Sequence, residues 1–227
     1  NGGKVAGVFC TFTPLEILDA AGFTPVSLCG MSGETIPAAE AHLPKNLCPL
    51  IKSSYGFAVS DKCPYTYFSD IIVGETTCDG KKKMYELLGE LKPMQVIHLP
   101  NLPDYERSLD MWITELRAFT RGLEEFTGEE ITEDKLNEAI EWCNKERVQA
   151  ARIYELGKYD PPAITGTHMR DVMEGEQYIF DRHRKYEKLK EILDQCYKAA
   201  VEVIRDNRED MDKVVEYLLK KETITGE

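Results

Sequence analysis

The stretch KVAGVFCTFTPLEILDAAGFTPVSLC, residues 4–29, decides the fold. Lys4–Phe9 is a short apolar run of strand length. Thr13-Pro14-Leu15-Glu16 then has the marks of a helix start. Thr13 can cap, Pro14 suits the first helical position, and Glu16 completes a capping box. Leu15, Ile17 and Leu18 supply apolar surface, and Gly22 ends the helix. Pro25–Leu28 predicts a second strand. Strand, helix and strand within thirty residues make a βαβ unit with a parallel pair.

The same alternation continues outward. Gly30–Asn46 has no clear period and reads as a loop. Pro49–Ala58 and Pro64–Phe68 predict short helices, Asp70–Gly74 a third strand, Lys81–Leu91 a helix, and Met94–Leu99 a fourth strand. The expected class is α/β, a Rossmann-like doubly wound parallel sheet flanked by helices over residues 1–103. Beyond Pro103 the pattern turns wholly helical. Asp104–Thr127 and Glu133–Leu156 are long and amphipathic, Pro161-Pro162 breaks the second, and His168–Tyr178 and Arg182–Leu219 follow, with a break near Asp206-Asn207. Residues 104–227 are therefore expected to form a long-helix C-terminal region. No second α/β domain is expected after residue 170.

The net charge of −12 has the wrong sign for a nucleic-acid binder. No apolar run reaches membrane-spanning length, and no basic, apolar leader opens the chain, so a cytoplasmic protein is expected. The cysteines number seven, an odd count that argues against a closed disulfide framework.

Five of them fall in the first third: Cys10, Cys29, Cys48, Cys63 and Cys78. Cys10, Cys29 and Cys78 each follow a predicted strand, which puts them at the carboxyl edge of a parallel sheet, where ligands bind. Cys48 and Cys63 each precede a proline at a predicted helix start. There, unpaired backbone N–H groups and the helix dipole favour a thiolate or an anionic cluster. Close C-x₂₋₄-C pairs, usual for structural zinc, are absent, as is a redox C-x-x-C. Wide spacing is compatible with iron–sulfur ligation, and five small apolar residues in a core remain the alternative. Cys143 and Cys196 lie on apolar helical stripes and read as core.

Other candidates are less specific. His42, His98, His168 and His183 show no i, i+4 pairing and read as ordinary. Ser53-Ser54-Tyr55-Gly56 could donate hydrogen bonds to a cluster or pack as small contact residues. Lys81–Lys83 reads as a solvated run, with a phosphate-bearing ligand as the alternative. Glu75 reads as a polar strand end, with an acid or base role as the alternative.

The segments GVFCTFTPLEILDAAG (7–22), NLCPLIKSSYGFA (46–58) and DIIVGETTCDGKKKMYELLGELKP (70–93), in that order, resemble the 2-hydroxyacyl-CoA dehydratase and benzoyl-CoA reductase family. The resemblance covers roughly residues 1–170. It implies a low-potential iron–sulfur protein of anaerobic metabolism. An ATP-hydrolysing iron–sulfur activator would feed it single electrons, and a dimer mate or second subunit would join it. Cys48 and Cys78 match two cluster-ligand positions. In the dehydratases a [4Fe-4S] cubane has three cysteine ligands and one open iron.

The additional Cys29 and Cys63, in SLCG and VSDKCPYTYFSD, resemble the double-cubane-cluster branch, in which two cubanes share a bridging sulfide as an [8Fe-9S] group. That branch implies Cys48, Cys63 and Cys78 as metal ligands, with Cys10 and Cys29 beside the cluster. The leading expectation is a double-cubane iron–sulfur reductase acting on a small-molecule substrate. The alternatives are a dehydratase subunit with a single cubane and a non-catalytic electron-transfer or interaction subunit.

Overall fold

The computed structural model describes residues 3–158 and 163–221. They form two compact units, Asn1–Asn144 and Lys145–Glu227. Tyr159–Pro162, with the predicted Pro161-Pro162 break, lies outside the described residues.

The first unit is built on four parallel strands in the order β2-β1-β3-β4: β1 (Lys4–Val8), β2 (Phe23–Ser27), β3 (Ile71–Glu75) and β4 (Met94–Ile97). This is the α/β class that the sequence pattern predicts. The register pairs Ala6 with Pro25 and with Ile71, and Gly74 with Val96. Pro25 is tolerated because β2 is an edge strand, where a missing N–H breaks no central ladder.

Strand alternation sends side chains to both faces. Ala6, Val8, Ile71 and Val73 pack on one face with Ile17 and Leu18 of α1 (Leu15–Ala20). On the other face Ile72 meets Ile51 and Tyr55 of α3 (Pro49–Val59) and Met84, Tyr85 and Leu88 of α5 (Asp79–Leu88). Ile71, Ile72 and Val73 are buried. Burying an aliphatic side chain of this size contributes about 1.5–3 kcal/mol, so β3 anchors both layers.

The Thr13 cap does not form. Pro14 is the N-cap of α1 and makes no side-chain capping bond, because the Thr13 hydroxyl donates to Glu75 instead. The predicted loop 30–46 contains a short turn at Gly33–Thr35 and a helix α2 (Ile36–Ala39), which is too short to show a period. Ala39 and Leu43 are nevertheless core residues of the α3 face. The short helix α4 (Pro64–Phe68) follows α3.

Helix α6 (Ser108–Thr127) belongs with the sheet. Its Phe119 and Leu123 enter the α1-side core, and Gly128, with φ of 73°, terminates it in the left-handed conformation. The sheet's unit thus runs past residue 103, since an amphipathic helix buries its apolar stripe where a partner face exists. Helix α7 (Glu133–Glu155) follows, and Leu136 near its start also packs on this core.

In the second unit Ile153, Leu189 and Leu193 form a small core with Leu156, Ile164, Val172 and Met173. Its helices are α8 (Gly166–Gly175), α9 (Arg182–Asp206) and α10 (Arg208–Lys221), with the expected break at Asn207. Thr165 and Asp181 cap α8 and α9 by accepting from the His168 and Arg184 N–H groups. No helix among the described residues is long and apolar enough to cross a membrane.

Candidate functional site

The carboxyl edge of the sheet collects most of the chemistry-bearing residues. Cys10 follows β1, Cys29 follows β2, and Cys78 follows β3. Cys48 reaches the same edge as the N-cap of α3. The start of α3 packs on the start of α5, whose N-cap is Cys78. Gly80 makes that approach possible. A Cβ at residue 80 would lie 2.8 Å from side-chain carbons of Leu47 and Ile51, the residues that flank Cys48. Cys48 and Cys78 therefore head two adjoining helices. Both are exposed, and neither side chain makes a capping hydrogen bond. As N-caps they stand at the unpaired first-turn N–H groups and positive dipole ends of α3 and α5, which favour an anionic occupant.

Cys63 lies elsewhere. Helix α3 has eleven residues and at 1.5 Å per residue spans about 16 Å, so the chain reaches the opposite edge before Cys63. There Cys63 caps α4, with its sulfur accepting from the Thr66 N–H at 3.4 Å. It lines a cavity of about 270 Å³ with Ile72, Leu88, Leu91 and Lys92. Lys92 donates to the carbonyls of Tyr67 (2.6 Å) and Ser69 (2.9 Å), just before β3, and itself precedes β4. These are the amino ends of the strands.

Cys29 is half-buried and packs on the α3-side core. The serines of α3 hold its loop. Ser54 Oγ accepts from the Gly30 N–H (2.9 Å), Ser53 Oγ donates to the Ser32 carbonyl (2.6 Å), and Thr35 donates to the Ser53 carbonyl (3.0 Å). The Ser53–Gly56 segment thus serves as packing. Tyr55 joins His42 Nδ1 at 2.6 Å, and burial raises its hydroxyl above the ordinary phenol range.

Cys10 is engaged. The chain adopts φ of 66° at this residue, a left-handed conformation that costs a non-glycine residue about 1–2 kcal/mol. Its sulfur accepts from Lys81 Nζ and stands 3.5 Å from Thr77 Oγ1. Lys81 is only 5% exposed, whereas Lys82 and Lys83 are exposed and pair with Asp79 and Glu86. The lysine run is thus solvated at two positions and buried at the first.

Beside this pair Glu75 is fully buried. One carboxylate oxygen accepts from Thr13 (2.7 Å), and the other has no partner among the described residues. The Tyr85 hydroxyl accepts from the Glu75 N–H at 3.3 Å. Burial pushes the Tyr85 hydroxyl far above the ordinary phenol range, and negative charge at Cys10, Glu75 and Cys29 adds to the shift. In the sequence Glu75 reads as a polar strand end and Lys81 as one of a solvated run, and nothing local marks Lys81 as buried. The one available signal for Glu75 was a carboxylate closing an otherwise apolar strand, IIVGE.

Cys143 and Cys196 are half-buried on their helices. Among the described residues, no three His, Cys, Asp or Glu side chains stand close enough to hold one metal ion. Cys48 and Cys78 are thus two exposed thiols at one edge of the sheet.

Residues 10–215 match the 2-hydroxyglutaryl-CoA dehydratase D-component family, and the chain belongs to it. YjiM of Escherichia coli K12, described as a dehydratase subunit, is 51% identical over 182 residues, covering 80% of this chain and 48% of its own length. The (R)-phenyllactyl-CoA dehydratase beta subunit of Clostridium sporogenes is 25% identical, covering 86% of this chain and 52% of its own length. The chain spans about half the length of these two relatives. It is also 31% identical over 145 residues to the ATP-dependent zinc metalloprotease FtsH of Thermotoga maritima, covering 58% of this chain and 23% of that protein. The paired histidines four residues apart that zinc proteases place on one helix are absent from the sequence.

Proposed function

We infer that this chain supplies the cluster-facing α/β half of a dehydratase- or reductase-type iron–sulfur enzyme. The observation that carries the reading is the pair of exposed, uncapped thiols, Cys48 and Cys78, at the adjoining starts of α3 and α5. Both would ligate iron of one [4Fe-4S] cubane, and a second segment or subunit would complete the ligand set. When bound, such a cluster supplies low-potential single electrons, accepted from an ATP-hydrolysing activator, to a small acyl substrate.

The residues of this chain would orient the group. The α3 and α5 N–H groups stabilise its negative charge, Gly80 lets the two helix starts meet, and Ser54 holds the Cys29 loop against α3. The double-cubane reading draws support from Cys10 and Cys29, which share this edge. Cys63 does not share it.

Iron and acid-labile sulfide in anaerobically purified protein test the reading. About four irons per site are expected, lost in Cys48→Ser and Cys78→Ser; about eight would favour the double cubane. No iron in the protein assembled with its other subunit would overturn both.

A further inference from the structure

We propose that Cys10 and Lys81 are a modification site at which dioxygen creates a reversible covalent N–O–S cross-link between the β1 edge and α5. The argument starts from burial. Lys81 carries an ammonium group that is almost wholly shielded from water, and its described hydrogen-bond partner is the Cys10 sulfur. Its stem is held against Phe9, with Nζ 5.8 Å from the ring centroid. The two residues are 71 positions apart, so tertiary structure alone joins them. Cys10 is held in a left-handed backbone conformation that directs its side chain here, and its other described polar contact is the Thr77 hydroxyl. No disulfide joins it to another cysteine among the described residues. A disulfide is therefore not the nearest oxidation product, and an amine is. Cys10 is only half-buried, so a small gas reaches its sulfur.

The step balances. One neutral amine, one thiol and one dioxygen give one N–O–S bridge and one water. An N–H, the S–H and the O–O bond break, and an N–O and an O–S bond form. Nitrogen and sulfur each lose two electrons, and dioxygen takes all four. The ammonium first passes one proton to solvent. Four thiol groups, oxidised to two disulfides, reverse it: attack on sulfur opens the O–S bond, reduction then breaks the N–O bond, and amine, thiol and one water are released. The bridge would pin the loop that begins at Cys10 to the first turn of α5, three residues beyond Cys78, and so stiffen the rim on which Cys48 and Cys78 stand. It needs only this pair and dioxygen, and does not rest on the iron–sulfur reading.

The test uses the full chain, purified anaerobically with reductant, then divided and exposed or not exposed to air. After alkylation and trypsin digestion, mass spectrometry should show in the aerated sample a linked peptide carrying Cys10 and Lys81. Its mass should exceed the sum of the two chains by about 14 Da, one oxygen gained and two hydrogens lost. Lys81 should resist cleavage, and dithiothreitol should reverse both changes. Lys81→Arg keeps the positive charge and should abolish the mass gain. The proposal falls if Cys10 alkylates fully after aeration, if it is found as a disulfide or sulfinic acid with Lys81 still cleavable, or if Lys81→Arg shows the same gain. Loss of iron from anaerobic Cys10→Ser would make Cys10 a cluster ligand and would also overturn it.

Discussion

Two edges of one sheet carry the same local text and different chemistry. Cys48-Pro49 and Cys63-Pro64 both place a cysteine as the N-cap of a helix with proline at its first position. At the carboxyl edge Cys48 is exposed, its sulfur makes no capping bond, and the start of α5 with Cys78 adjoins it. At the amino edge the Cys63 sulfur accepts from Thr66, heads a helix of only five residues, and faces Leu88, Leu91 and Lys92. A local signature therefore specifies a helix start. Which ligand could reach it depends on the end of the sheet to which the connecting helix delivers it.

The strongest way to break this contrast is substitution of the thiols. Cys48→Ser and Cys78→Ser should each abolish most iron binding, while Cys63→Ser should leave iron content and the reduced electron-paramagnetic-resonance spectrum unchanged. A loss at Cys63 equal to that at Cys48 would erase the distinction between the edges.

Thr13→Val tests the buried acid at the carboxyl edge. It strands a Glu75 oxygen already beside an unpartnered one, and should destabilise the fold by about 2 kcal/mol, read as a lower urea midpoint. Lys92→Met, the counterpart at the amino edge, frees the Tyr67 and Ser69 carbonyls, which are closer to solvent. It should cost about 1 kcal/mol. Equal losses would show that the two edges do not differ in polar burial.

The smallest expected effect is alkaline. The Tyr85 hydroxyl is raised from its ordinary value of 10.0, chiefly by burial. The folded state thus holds its proton more tightly than the unfolded state does. That contribution is fully present below about pH 10 and is lost as the pH climbs toward the raised folded value. Unfolding free energy should therefore fall with pH above 10 in the parent more steeply than in Tyr85→Phe. Parallel curves would remove Tyr85 from the charged environment of Cys10 and Glu75.

Much of this architecture is legible in residue order. Strand-like runs at 4–9, 25–28, 70–74 and 94–99, alternating with helical segments, predict a parallel sheet covered on both faces, and that is the fold. The errors are physical. Thr13 has the chemistry of a cap and is taken by a stronger acceptor, Glu75, 62 positions away. Ile36–Ala39 is barely one helical turn, too short for a hydrophobic period to repeat. Lys81 looks like Lys82 and Lys83 in any local window, and only the crossing of α5 over the end of β1 makes it buried.

By itself the sequence determined the α/β class, the four strands, the longer helices, and the placement of Cys10, Cys29 and Cys78 after strands, because these follow from short-range periodicity and turn chemistry. Tertiary structure alone decided that Cys48 joins Cys78, that Cys63 goes to the far edge, and that Cys10 meets Lys81. The Cys48–Cys78 and Cys10–Lys81 pairings join residues 30 and 71 positions apart, and strand order together with helix length, not local propensity, sets such distances.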